Sequence, residues 1–157
     1  MKCYVSQKQL SWGSKYLVRD EEGDLIYSIK GKPLTLARNF SVLDTEGYEV
    51  AVVRQKKWCV YPQYSVFING RVVAEIKKVR SRFKPRYIVE IQNWLVEGDF
   101  LGHRYTISCK DGAIAEIRKA WMSWGDNYEI DILDPKDEIV SLVTVIVIDC
   151  VTESNAN

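Results

Sequence analysis

The chain has 157 residues, with 22 Lys and Arg set against 21 Asp and Glu. At that length the simplest organisation is one domain, burying roughly two thirds of its unfolded surface. With a formal net charge of +1, no global field recruits nucleic acid or membrane, so an electrostatic partner must meet a local patch.

The first segment, MKCYVSQKQL, has one early lysine but no apolar core of roughly 7–15 residues, so no secretory signal is expected. Cys3, Cys59, Cys109 and Cys150 stand far apart without a CxxC pair. Free thiols in a reducing cytoplasm are the expectation. Further along, turn signals recur at short spacing: Asp20-Glu21-Glu22-Gly23, Asp44-Thr45-Glu46-Gly47, Asn69-Gly70 and Asp111-Gly112. Gly supplies the positive φ that hairpin turns and their bulges require, and Asn or Asp stabilises the turn locally. The flanks read as strands: KYLVRD with DLIYSIKG, FSVLD with YEVAVVRQ, YSVFI with RVVAEIKKV, and YTISC with AIAEIRKAW. Val72, Ala74 and Ile76 alternate with Arg71, Glu75 and Lys77, which implies one face in a core and one in water. These four hairpins, with the N-terminal segment, 85–96 and 126–132, make about twelve strands, the pattern of a sandwich or barrel. Ser11-Trp12-Gly13 is echoed by Ser123-Trp124-Gly125, too irregularly for a solenoid or propeller.

The last stretch, DEIVSLVTVIVIDCV at 137–151, is the most apolar. Its run from Ile139 to Val151 is 13 residues long and is interrupted by Ser141, Thr144 and Asp149. A membrane span needs about 20 apolar residues, so no transmembrane segment is assigned. Nine of the 13 are β-branched, which favours a strand, yet typical strands run only about 5–6 residues. Asp134 can cap a helix, Pro135 suits its first position, and Asp137 falls in its first turn. A helix apolar all round must be buried all round. From these residues a long buried strand and a central helix inside a closed sheet remain equally open. The tail 152–157, TESNAN, reads as disordered.

The order VRDEEGDLIYSIKGK, FSVLDTEGYEVAVVRQK, YSVFINGRVVAEIKK, WLVEGDFLGHRYTI and SWGDNYEIDILDPKDE strongly resembles the LURP-one-related (YxjI-like) family of the tubby C-terminal-like superfamily. The resemblance covers residues 4–151. It implies a mainly β fold: a tubby-like closed antiparallel barrel of about twelve strands around a hydrophobic C-terminal helix. The barrel domain is then 1–151, with the central helix over about 135–150. Because tubby proteins bind phosphoinositides and related scramblases act at membranes, the resemblance also implies anionic phospholipid as a partner.

Catalytic signals are sparse. There is one histidine, His103, and no GxSxG, HExxH, P-loop or GxGxxG. Following Gly102 in a tight connection, His103 is expected to be structural, with its imidazole bonding loop backbone. Asp126, Glu129, Asp131 and Asp134 match no cation-binding loop and read as a solvated strand edge and helix caps. No catalytic residue, metal or cofactor is assigned. The most suggestive feature is KKVRSRFKPR, residues 77–86, which contains no acid. In extended chain Lys78, Arg80, Arg82, Lys84 and Arg86 would share one face about 6–7 Å apart, with Phe83 opposite as an anchor. Such a row suits phosphates of lipid headgroups, or else serves as a solvated hairpin tip that discourages edge pairing. Trp12 and Trp124, beside turn glycines, are expected to plug a barrel end.

The expectation is a non-enzymatic, cytoplasmic module that binds anionic lipid headgroups at the membrane surface through Lys78, Arg80, Arg82, Lys84 and Arg86. The alternatives are a protein-binding adaptor without lipid affinity, and an enzyme using a pocket at one barrel mouth near His103. Nucleic acid is not an expected partner.

Overall fold

The computed structural model describes residues 1–10, 13–31, 38–80, 82, 84–120 and 127–156. Twelve strands occur in chain order: β1 (Lys2–Leu10), β2 (Gly13–Arg19), β3 (Leu25–Lys30), β4 (Asn39–Leu43), β5 (Glu49–Gln55) and β6 (Gln63–Ile68). The second half comprises β7 (Arg71–Val79), β8 (Arg86–Glu90), β9 (Trp94–Asp99), β10 (Arg104–Cys109), β11 (Gly112–Ala120) and β12 (Asn127–Ile132). Each pairs antiparallel with its sequence neighbours, and β1 pairs with β12, so the sheet closes into a barrel with no free edge. The segment 85–96 contributes to two strands, β8 and β9.

Local chemistry accounts for the turns. Asn69 (φ 50°) and Gly70 (φ 73°) both take the positive φ of a two-residue hairpin. The Asp44 carboxylate accepts from the backbone N–H of Glu46 (3.0 Å) and Tyr48 (2.9 Å). Alternation then selects the faces. In β7, Ala74 and Ile76 are fully buried and point inward, while Glu75 and Lys77 point outward. Val72 departs from its expected inward place and is exposed, because the pairing shifts by one residue between Val66 and Phe67 at that end of the barrel.

The terminal stretch is a helix. Asp134 caps it by accepting from the Lys136 N–H at 3.0 Å, and Pro135–Asp137 form a 3-10 turn. The chain then continues as α1 (Glu138–Ala156). At about 1.5 Å per residue, its 19 residues run roughly 28 Å along the barrel axis. Every residue from Ser141 to Val151 is buried, so helix and strands share one core. Containment in the closed sheet overrides the β-propensity of the run, because a helix satisfies its own backbone polar groups inside an apolar cavity. No helix among the described residues is long and apolar enough to cross a membrane.

The expected disordered tail is a correction. Thr152–Ala156 continue the helix, with the Ser154 hydroxyl bonding the Cys150 carbonyl (2.8 Å) and Glu153 accepting from Gln7 of β1 (3.2 Å). A polar, low-hydrophobicity sequence does not signal these helical turns.

Candidate functional site

The barrel has two unlike ends. At the end where α1 enters, the described connections are 20–24, 44–48, 69–70, 91–93, 110–111 and 133–137. They carry the acids Asp20, Glu21, Glu22, Asp24, Asp44, Glu46, Asp111, Asp134 and Asp137, against only Lys110 and Lys136. At the end where α1 exits, the described residues of the connections carry Arg38, Lys56, Lys57, Arg80, Arg82 and Lys84 and no acid. A net charge near zero thus conceals an axial segregation among the described residues of these connections.

Inside that rim the wall is aromatic. Tyr16, Tyr64, Tyr87, Phe100, Tyr105 and Tyr128 are all buried. The Phe100 ring meets Tyr87 edge-on at 5.1 Å and Tyr105 at 5.0 Å. His103 stacks on Tyr128 at 4.6 Å, and its Nε2 lies 2.9 Å from Asp149 Oδ1 on α1. The imidazole therefore ties the β9–β10 connection to the helix carboxylate rather than to loop backbone as expected. Tyr105 and Tyr128, whose hydroxyls are buried without a partner among the described residues, are held well above the ordinary phenol range by burial and then by Asp149. Burial also pushes the Cys150 thiol up to about 12, even though Tyr16 contacts its sulfur at 3.9 Å. A thiol in that range is not a nucleophile near neutral pH. All four cysteines are free, and of them only Cys59 is exposed.

Beside this wall opens a cleft of about 670 Å³. Tyr87, Phe100 and Thr152 form its inner side, with the Tyr87 hydroxyl bonded to Thr152; Pro85 and Leu101 form its lip. Its charged members are Lys78, Lys84 and Asp99. The Asp99 carboxylate is engaged by the Gly102 N–H at 3.0 Å. Gly98 belongs to the same construction: at φ 143° a Cβ there would lie 2.6 Å from the Arg104 carbonyl and from Tyr105, so only glycine permits this close strand approach.

The predicted basic row is not one face, and that is a correction. β7 ends at Val79 and β8 begins at Arg86, so the chain reverses between them instead of running extended. Lys78 pairs with buried Tyr87 and shares its inward face, at the cleft. Arg86 pairs with Val79 on the outer face, where its Nε lies 2.8 Å from Glu97. Arg80, Arg82 and Lys84 lie exposed on the connection between. The structure therefore brings Lys78 and Lys84 together at the cleft, leaves Arg80 and Arg82 on the rim, and removes Arg86 to an outer ion pair. Outer cations are commonly matched in this way: Lys77 with Glu90 (2.7 Å) and Lys56 with Glu75 (2.8 Å). Lys78, Arg80, Arg82 and Lys84 have no acidic partner among the described residues.

Sequence reading passed over Trp58, Val60 and Leu101, which are 100%, 92% and 77% exposed on the exit rim. The available signal was KKWCVYP, a connection between strands with three large apolar residues beside two lysines and no acid. Phe83, Trp12 and Trp124 fall outside the described residues, as does Asp126 of the carboxylate series. Of that series, Glu129 pairs with Lys2 (3.6 Å) and Asp134 caps the terminal helix. No cluster of three potential ligands for a metal ion occurs among the described residues.

A family profile described as LURP-one-related matches residues 1–149. The chain belongs to the LURP-one-related family. It is 24% identical over 151 residues to the uncharacterized protein YxjI of Bacillus subtilis (strain 168), an alignment spanning 96% of this chain and 93% of that protein. The X-ray structure of the Arabidopsis thaliana protein AT5G01750 superposes with a TM-score of 0.65 at 16% identity, covering 94% of this chain and 90% of that one. The twelve-stranded barrel around a C-terminal helix is the tubby-like architecture that the family resemblance implied.

Proposed function

We propose that the protein is a non-enzymatic module that binds anionic, phosphate-bearing lipid headgroups at a cytoplasmic membrane surface. The observation that carries this reading is Lys78, a cation on the inward face of β7, opening on the cleft without an acidic partner among the described residues. An ammonium at the cleft without an acidic partner is complemented by an anionic ligand. Lys84 at the same cleft supplies a second donor, and Arg80 and Arg82 add positive potential beside it. Lysine serves phosphate as a point charge. The apolar lip of Pro85 and Leu101 suits the glycerol and upper acyl carbons of a lipid.

The test is titration of a soluble short-chain phosphoinositide, dihexanoyl phosphatidylinositol 4-phosphate, against dihexanoyl phosphatidylcholine. Charge-assisted hydrogen bonds contribute about 1.5–3 kcal/mol each. Lys78→Gln with Lys84→Gln should therefore cost about 3 kcal/mol, roughly two decades of affinity. Equal or absent binding of the two lipids would sink the headgroup reading and leave a protein-binding adaptor.

A further inference from the structure

The exit rim carries a second, apolar feature beside the cleft. Three connections adjoin there: 56–62, the described residues of 80–85, and 100–103. Lys78 donates its N–H to the Pro62 carbonyl at 3.0 Å, which joins the first connection to the base of the second. The Phe100–Tyr87 contact joins the third to the strand that follows the second. From this continuous rim Trp58, Val60 and Leu101 project into solvent, with Tyr61 42% exposed among them. A fully exposed tryptophan flanked by exposed aliphatics is not what a surface facing only water requires.

The backbone holds Trp58 out. Its φ is 64°, a left-handed conformation that is an outlier for so bulky a residue. The flanking residues are anchored. Lys56 donates its N–H to Gln63 and its ammonium to Glu75, and the Cys59 thiol turns back toward the Lys57 carbonyl (3.7 Å) and Gln63 Oε1 (3.6 Å). A strained residue kept by well-bonded neighbours, with its side chain contacting solvent, is the arrangement of a presented anchor.

Charge decides what the anchor meets. A two-fold contact with a second copy would set Lys57, Arg80, Arg82 and Lys84 against their own duplicates. An anionic bilayer complements those cations and accepts tryptophan at its interface. We propose that Trp58, Val60 and Leu101 insert into the interfacial layer of an anionic membrane while Arg80, Arg82 and Lys84 lie on its headgroups. This deepens the headgroup reading above and rests on it for the occupant of the cleft, but the two are separable.

The experiment uses the full chain with vesicles of phosphatidylcholine, alone or with phosphatidylserine, whose acyl chains are brominated to quench tryptophan on contact. Wild type should partition to the anionic vesicles and lose Trp58 emission, read as the difference from Trp58→Phe. The double variant Trp58→Ala, Val60→Ala should bind them at least tenfold more weakly, yet titrate the soluble dihexanoyl lipid as wild type does and melt at an unchanged temperature. Unquenched Trp58, or a double variant that partitions like wild type, overturns the insertion and leaves the cleft reading standing. Quenching with no affinity for the soluble lipid supports the insertion and overturns the cleft. A wild-type dimer, in sedimentation without vesicles, that Trp58→Ala converts to monomer would also overturn the proposal, since the rim would then be a protein interface.

Discussion

His103 and Asp149, 46 residues apart, meet at 2.9 Å and fasten the β9–β10 connection to the last turns of the central helix. The connection contributes Phe100 and Leu101 to the cleft, and the helix contributes Thr152. The pair therefore fixes two walls of the candidate site relative to each other. Removing the imidazole leaves a largely buried carboxylate without that partner. His103→Ala should cost about 1–3 kcal/mol in urea unfolding, and it should raise amide exchange across 99–104 before it affects the rest of the barrel.

Glu75 anchors the other side of the rim. Burial alone would raise its carboxyl, but hydrogen bonds from Lys56, Ser65 and Gln63 outweigh it and hold the group below its ordinary 4.5. A carboxyl lowered by folding stabilises the fold fully above its unfolded value, and that contribution fades as pH falls through the folded value. Glu75→Gln should therefore be less stable than wild type at pH 7, by about 1–3 kcal/mol. The gap should narrow steadily in denaturation curves taken below pH 4.5. A gap that widens on acidification would contradict the assignment. Because Lys56 begins the connection that presents Trp58, the same substitution should also loosen that loop.

Trp58 offers a test of strain. At φ 64° glycine is at ease and tryptophan is not. The side chain is fully exposed, so its removal forfeits no core packing. Trp58→Gly should raise stability by up to about 1 kcal/mol, the scale of a relieved left-handed residue, while weakening vesicle partition. A gain in melting temperature with a loss of binding is what a residue kept for function produces.

The helix is a core element rather than an appendage. Leu142, Val143, Val145, Ile146, Val147 and Ile148 are all at most 1% exposed. Full burial of such side chains contributes about 1.5–3 kcal/mol each, which together approaches or exceeds the ~5–15 kcal/mol net stability of a domain. Deletion of residues 138–157 should give insoluble or molten protein, and Ile146→Ala alone should cost about 2–5 kcal/mol. A truncated chain that melts cooperatively would contradict the central role of α1.

The barrel was legible because its signals are local. Asn69-Gly70 and the Asp44 turn fix hairpins within a few residues, and alternation in β7 fixes the faces. The terminal helix was only half legible. Burial on all sides erases amphipathic periodicity, so only Asp134 and Pro135 distinguished it from a strand, and the family resemblance broke the tie. The basic row failed where chain direction mattered: a reversal between Val79 and Arg86 sends Lys78 inward and Arg86 outward, which spacing by two cannot reveal. His103–Asp149 depends on contacts across 46 residues. The exit rim depends on knowing which connections lie at the same end, and that requires the topology.

That topology sharpens the test of the cations. Arg80, Arg82 and Lys84 lie on the exit rim, whereas Arg71, Lys110 and Lys136 lie at the opposite, acidic end. Each set removes three positive charges when changed to Gln, so both leave the same net charge. Each near-surface cation contributes about 1 kcal/mol to binding an anionic bilayer, and screening confines the effect to about 8–10 Å at physiological salt. The rim triple should therefore lose about 3 kcal/mol, roughly two decades of affinity for anionic vesicles, and the opposite triple almost nothing. Added salt should weaken wild type far more than the rim variant. Both should melt close to wild type, because exposed charges contribute little to stability. Equal losses from the two triples would mean that overall charge, and not the rim, governs association. A wild type indifferent to anionic lipid at low salt would remove the membrane from the account and leave the rim to a protein partner.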